Sequence, residues 1–304
     1  MHELIQEICA QQSPGGTFLS KVHLASGDVE DLNCFVSALV LRELSRLQRE
    51  VAWSAPPELQ NAGRRALGFL MRSKYPVYPH LYSFYPRHKH PLWMGPALYA
   101  DADDTSIIAL ELVRYQKRPP EILSYIAERY LMKYRAMGDL AHHLTEPWHR
   151  EGVFLTWFTT ADLPNPIDCC VNANVMALLA VGDLKATPGY AEAGALINEA
   201  VAWAGHDRRR LRQLTPYYPH PIELYHAVDH AVASGVHELV SARDALAGVP
   251  CIETCIEEPI VEADGPVEPV EPHRVCSSVD GEIYWTAEVL GQVRELKRSI
   301  MGGE

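Results

Sequence analysis

The sequence predicts an all-α fold, an α/α toroid built as a barrel of five or six helix hairpins in a single domain spanning 1–304. Three observations predict it. Gly and Pro cut the 304 residues into helix-length pieces. Ala, Leu, Glu and Arg dominate those pieces, as helix propensity requires. The pieces are of two kinds in alternation, one amphipathic and one apolar on most sides. That is the pattern of an outer layer wrapped around buried inner helices.

Taken in order, the first helix is expected over Glu3 to Gln12 and the second over Asp31 to Glu50. A third follows Pro56-Pro57 and covers Glu58 to Arg72. The fourth runs from Asp103 to about Tyr115, and Pro119-Pro120 open a fifth over Glu121 to Arg135. The sixth covers Ile167 to Val181, and the seventh, after Pro188-Gly189, covers Tyr190 to Ala204. The eighth starts after Pro221 and stops at Gly235, and a short ninth covers Val236 to Ala247. The last covers Ile283 to Ser299. EILSYIAERYLMKYR carries apolar residues at helical spacing with charges between them, so it reads as outer. CFVSALVL, TSIIALELV and CCVNANVMALLAV read as inner. Inner helices then start near positions 31, 103, 168, 222 and 283, spacings that suit repeated helix hairpins.

Two stretches depart from helix. Tyr75 to Pro96 is dense in Pro, Tyr and His, and its prolines exclude a regular helix. It reads as an ordered aromatic loop. The 250–280 stretch carries Glu253, Glu257, Glu258, Glu262, Asp264, Glu268 and Glu271 before its first basic residue, Arg274. It reads as an acidic, Pro-containing inserted loop.

Charge excludes one class of partner. There are 27 Lys and Arg against 39 Asp and Glu, a net charge of -12 that argues against a phosphate-backbone binder, so nucleic acid is not expected. No apolar run reaches the roughly 18 residues of a membrane span, so no integral membrane segment is expected. MHELIQEICAQQ lacks a basic region and an apolar signal core, and seven cysteines are an odd number. Both point to a reducing, cytoplasmic setting.

The sharpest motif is Asp101-Ala102-Asp103-Asp104-Thr105 at the head of an apolar helix. Three carboxylates within four residues repel one another, and in a dry site one of them keeps its proton. A neutral carboxylic acid aimed into an apolar space can protonate an alkene or an epoxide. Two blander readings stand beside this one. Asp is favoured at helix N-termini by the unpaired N–H groups there, and clustered carboxylates also suit hard cations.

Asp101-Ala102-Asp103-Asp104-Thr105 resembles the Asp-x-Asp-Asp-Thr motif of class II terpene cyclases, which carry it atop an inner helix of an α/α toroid. Gln11-Gln12-Ser13-Pro14-Gly15-Gly16-Thr17-Phe18 resembles the Gln-to-aromatic repeat that ends their outer helices, with the usual Trp replaced. Asp280 to Ala287 is loosely similar to their last inner helix. The resemblance implies that Asp103 is the general acid, with Asp104 and Asp101 as its hydrogen-bonded supporters. The substrate it implies is a small apolar, isoprenoid-like polyene, cyclised without a cofactor. Aromatic faces would stabilise the cations by roughly 0.5–2 kcal/mol each. Tyr82, Trp93, Trp157, Phe158 and Tyr225 are candidate lining, together with Tyr78, Phe84 and Tyr85. The alternative is that these rings pack the core. The family's enzymes usually hold two or three domains, so in this chain the Tyr75–Trp93 loop, the acidic loop or a second copy in a homodimer must close the cavity.

A second constellation lies on later inner helices. Asp168 and Cys170 open one, and His226 lies inside the next. They resemble, in type and order, the zinc site of protein prenyltransferase β-subunits, which are built on the same toroid. That resemblance implies a zinc ion with an open position and a prenyltransferase-like enzyme. The plain reading is a pair of buried cysteines and a core histidine. Asn172 and Asn174 sit in an otherwise apolar helix, where an unpaired amide costs roughly 1–3 kcal/mol. They are expected to face the central cavity. A third reading of the whole chain is a non-catalytic toroid that binds a lipid or a protein.

Overall fold

The computed structural model describes residues 1–75, 78, 80–86, 90–94, 98–161, 163–249, 261–262, 265–266 and 274–302. Its long helices are α1 (His2–Ala10), α2 (Cys34–Glu50), α3 (Pro57–Arg72), α4 (Ala102–Arg114), α5 (Glu121–Arg129) and α6 (Cys169–Val181). They continue as α7 (Tyr190–Ala204), α8 (Arg208–Gln213), α9 (Pro221–Ala233), α10 (Val240–Ala247) and α11 (Glu288–Met301). Each expected helix is present, α5 stops at Arg129 instead of Arg135, and α8 is additional. Its Asp207 N-cap accepts from the N–H groups of Arg209 and Arg210, so Arg208, Arg209, Arg210 and Arg212 lie on a capped turn of helix.

The helices form two layers. The inner ones follow one another in the order α11, α2, α4, α6 and α9, each packed on the next. Arg294 of α11 meets Glu223 of α9 with two N–O distances of 2.6 Å, which links the two ends of that succession. The outer helices α3, α5, α7 and α10 lie against α2, α6, α6 and α9, and α1 lies against α11. Burial explains the division. In α6 every residue from Cys169 to Leu179 is buried, whereas α3 buries only one face, Leu59, Ala62, Gly63, Ala66, Leu67 and Leu70. One apolar core runs from Ile5 in α1 to Leu296 in α11.

The inner helices point the same way. Residues near the starts of α4 and α9 meet early or middle residues of α6 and α11, and the ends of α2, α4 and α9 meet one another. Arg46 pairs with Asp229 at 2.8 Å, and Arg114 donates to Ser234 at 2.6 Å. All N-terminal ends therefore lie on one rim.

That rim carries the main correction to the all-α expectation. Strands β1 (Ser20–Leu24), β2 (Gly27–Asp31), β5 (Arg274–Ser277) and β6 (Tyr284–Thr286) form an antiparallel sheet in the order β2-β1-β6-β5. Leu24 pairs with Gly27 around a two-residue loop, and Gly27 takes a φ of +119° that favours glycine. The strands are too short and polar to show clean alternation, so helical periodicity dominated the sequence. The sheet also shortens two expected helices. Asp31 closes β2 and Asn33 caps α2, accepting from the Val36 N–H at 2.8 Å; Tyr284 to Thr286 are strand before α11 begins. Within the acidic 250–280 stretch, β3 (Val261–Glu262) pairs with β4 (Gly265–Pro266). The rest of that stretch up to residue 273 lies outside the described residues, as do parts of the Tyr75–Pro96 loop. Among the described residues, no helix is long and apolar enough to cross a membrane.

The Gln11–Phe18 segment works as a brace between outer helices. The Gln12 side-chain amide donates to the carbonyls of Gly16 and Ala62, both at 2.8 Å, tying the end of α1 to α3.

Candidate active site

Asp101 to Thr105 begin α4 on the common rim, and all are buried. The backbone around them is held on two sides. Tyr82 O accepts from the Asp101 N–H at 3.2 Å, and Thr105 Oγ1 meets the Tyr82 N–H at 3.0 Å. On the other side the Ala102 N–H donates to Thr156 O at 2.8 Å. Asp101 is the N-cap, its Oδ1 accepting from the Asp104 N–H at 2.6 Å. The bland reading of the motif is thus correct for Asp101 and does not exhaust the cluster.

The three carboxyls differ in surroundings. Asp103 Oδ1 accepts from Asn174 Nδ2 at 2.7 Å, and its Oδ2 is bonded to the Tyr218 hydroxyl. Burial raises the Asp103 pKa, while Tyr218, Asn174 and the Arg42 charge pull it back down. Asp101 and Asp104 interact with one another rather than acting as hydrogen-bonded supports of Asp103. Burial, then the Asp103 charge, pushes Asp104 up to about 8. Burial and the charges of Asp104 and Asp103 push Asp101 well above the carboxylate range. Asp101 Oδ2 and Asp104 Oδ1 have no hydrogen-bond partner among the described residues. A neutral carboxyl tolerates that far better than an ionised one. Burial raises all three carboxyls and so favours their protonated forms, and Asp103 has in addition polar partners that favour its charged form.

A run of aromatic rings reaches this cluster from the surface. Trp93, 38% exposed, lies 6.1 Å from Trp285. Trp285 lies 4.9 Å from Phe84, Phe84 5.6 Å from Phe35, and Phe35 5.8 Å from Tyr218. The sheet positions this run. Asp31 accepts from Trp285 Nε1 at 3.0 Å and from the Tyr85 hydroxyl at 2.8 Å. Trp157 flanks the cluster elsewhere, pairing with Asp101 through the backbone and donating from Nε1 to the Tyr217 hydroxyl at 2.7 Å.

Other expected lining residues serve different purposes. Phe158 packs on Tyr134 and Tyr130 at 5.4 and 6.0 Å, in an aromatic group beside α5. The buried Tyr82 uses its backbone to hold Asp101 and Thr105, and its hydroxyl is engaged by Arg118. Tyr225 lies beside Asp229 and Arg243. Asn172 spends its amide on backbone, accepting from the Phe154 N–H and donating to Phe154 O and Asp168 O. It braces a loop and does not face the interior, because its turn of α6 points to the 153–156 segment. Of the two asparagines, Asn174 alone reaches the acid.

The zinc constellation is not brought together. Asp168 caps α6, accepting from the N–H groups of Cys170, Val171 and Tyr217. Burial lifts its pKa to about 7 against those donors. His226 lies instead among Glu43, Arg294, Lys297 and Arg42. Among the described residues, no three His, Cys, Asp or Glu side chains are grouped to hold a metal ion. An N-cap Asp before cysteines mimics the ligand spacing in sequence and has a different use in space.

The interior beyond Asn174 is charged, not aromatic. Arg46 reaches across from α2 to Asp229 of α9, and Glu111 of α4 pairs with Arg114 at 2.7 Å and accepts from Ser45 at 2.6 Å. Glu43, fully buried, is bonded to Lys297. On the rim, a groove of about 590 Å³ is lined by Ile167, Arg212, Thr215, Pro216, Pro219 and Ser277, among others. The turn that supplies Thr215, Pro216 and Pro219 to this groove presents Tyr218 to Asp103.

Sequence reasoning missed Tyr218, Arg42, Phe35 and Trp285. A signal existed for Arg42, a charge inside the apolar CFVSALVLRELS run of an inner helix. None existed for Tyr218, whose partner is 115 positions away.

No family model matches this sequence, and no curated protein matches it. Among solved structures, it is similar to the type II terpene cyclase MstE from Scytonema, at 16% identity and a TM-score of 0.44, covering 99% of this chain and 96% of that one. A variant of MstE in complex with merosterolic acid A is similar at 14% identity and a TM-score of 0.42, covering 98% and 94%. A protein from Actinoplanes is similar at 15% identity and a TM-score of 0.38, covering 99% of each chain.

Proposed function

We propose that this chain is an acid-initiated cyclase of the class II terpene cyclase kind, in which Asp103 protonates a carbon–carbon double bond of an apolar, isoprenoid-like substrate. The observation that carries this reading is the set of three buried carboxyls on one helix start, two of them held well above the carboxylate range. Protonating an alkene requires a strong acid that is nevertheless loaded. Asp101 and Asp104 keep protons in the site, while Asn174, Tyr218 and the Arg42 charge stabilise the Asp103 carboxylate left after transfer. Stabilising the product charge lowers the barrier to its formation. The carbocation would then meet the Phe35, Phe84 and Trp285 faces, whose quadrupoles favour positive charge.

Asp103→Asn keeps the shape and removes the acid. Incubated with farnesol, geranylgeraniol and squalene, the wild type is expected to yield cyclic isomers and the variant none, at an unchanged urea midpoint. Equal conversion by the variant sinks the reading.

A further inference from the structure

Arg64, Arg65 and Arg72 of α3 line a second groove, of about 450 Å³, together with Pro14 and Gly15. Those two belong to a turn closed by the Gly16 N–H on Ser13 O at 3.0 Å. Helical spacing puts Asn61, Arg64, Arg65, Gly68 and Arg72 on one face of α3, away from the buried Leu59, Ala66 and Leu70. Two of the arginines are held in place. Arg72 folds back over Gly68, where a Cβ would lie 3.3 Å from Nη1, and donates from Nη2 to Gly15 O at 3.3 Å. Arg64 folds back onto the Asn61 side-chain oxygen. Their guanidinium groups therefore stand at the levels of Asn61 and Gly68, separated by about 10 Å of helix, with Arg65 between them. Elsewhere such charges are neutralised. Arg46, Arg114, Arg150, Arg243 and Arg294 each lie 2.8 Å or less from a carboxylate oxygen. In the groove, no Asp or Glu is among the lining residues, and Arg64, Arg65 and Arg72 have no ion pair among the described residues. Like charges on one helix face repel, so the arrangement gains from an anion supplied from outside.

We infer that this groove binds a compact, soluble polyanion of the diphosphate class, held by Arg64, Arg65 and Arg72. Three features select that chemistry. Guanidinium groups match phosphate oxygens as planar, two-pronged donors. Spread along the helix, they suit two linked phosphates better than one. The whole chain carries a net charge of -12, which repels an extended anionic surface. A small anion instead meets mainly the local positive field, since charge is screened beyond about 8 Å at physiological salt. The bound anion would bridge α3 to the Ser13–Gly16 turn, which Gln12 already ties to α3 through Gly16 O and Ala62 O. This site does not involve the Asp101–Asp104 carboxyls and stands or falls apart from the cyclase reading.

Titration calorimetry of the full chain with sodium diphosphate, at constant ionic strength, tests the site. Saturable binding with a Kd below about 1 mM is expected, together with a urea midpoint that rises as diphosphate is added. Arg65→Gln and Arg72→Gln change exposed side chains, so both variants should fold. Each is expected to weaken diphosphate by about tenfold or more. Arg129→Gln, which removes an exposed arginine of α5 outside the groove, should leave the affinity unchanged. Inorganic phosphate should bind at least about tenfold more weakly than diphosphate. The inference is overturned by no saturable binding at about 10 mM diphosphate, by unchanged affinity in both groove variants, or by an equal loss in Arg129→Gln. Phosphate binding as tightly as diphosphate overturns the assignment to two linked phosphates. Pelleting with phosphatidate vesicles that Arg65→Gln and Arg72→Gln abolish, without binding of free diphosphate, overturns it in favour of a lipid headgroup.

Discussion

Arg42 and Asn174 sit 132 residues apart in sequence, and the 3.4 Å bond between them sets the orientation of the amide that holds Asp103. One donor-only guanidinium in α2 thereby turns the amide NH2 group towards Asp103 on α4. Asn174→Leu leaves both neighbours buried and short of a partner. The expected loss is roughly 1–3 kcal/mol of stability by urea unfolding. A single variant as stable as the wild type contradicts this account.

Stability should depend on pH through Asp104. The folded protein holds that proton up to about 8, whereas an unfolded aspartate releases it near 3.9. The folded state therefore binds more protons between those values, and stability falls as pH rises through them. The contribution is full below the unfolded value and is lost by about pH 8. Asp104→Asn should flatten the slope of urea midpoint against pH between 5 and about 8. A wild-type midpoint that rises over this window is the opposite result.

The Glu223–Arg294 pair links α9 to α11, with side chains 3% and 14% exposed. Arg294→Met leaves the Glu223 carboxylate buried without that cation and should cost about 3–5 kcal/mol. Replacing both by Leu should cost much less, because the penalty comes from the stranded charge. A double variant no better than the single one would show that the pair acts through packing alone.

Gly16 takes a φ of +96°, and a Cβ there would lie 2.5 Å from the Arg65 carbonyl oxygen. Gly16→Ala must shift the backbone of α3 or break the Gln12 brace. A loss of about 1–3 kcal/mol is expected, read as a lower urea midpoint. An unchanged midpoint would mean that the segment moves freely away from α3.

Much of the architecture was legible because it is written locally. The apolar runs that became α2, α4 and α6 bury themselves on nearly every side, and this needs no long-range information. Pro57 and Gly189 mark helix starts by backbone preference alone. The hairpin at Leu24 to Gly27 was not legible, since β-strands take their stability from partners. For Val22 the partner is Trp285, which no window of sequence contains.

The same division holds at the site. Sequence alone determined that three carboxyls crowd one buried helix start, because adjacency on the chain imposes repulsion whatever the fold. Only the tertiary structure decided what each carboxyl does. Asp103 gained Asn174 and Tyr218, Asp101 and Asp104 were left to each other, and Asp168 was spent on a helix cap. It also joined inner helices by ion pairs such as Arg46–Asp229 and brought Phe84 against Trp285. The physical reason is range. Helix propensity and charge crowding act over a few residues, whereas a proton is held or released by whatever polar atom lies within about 3 Å of it.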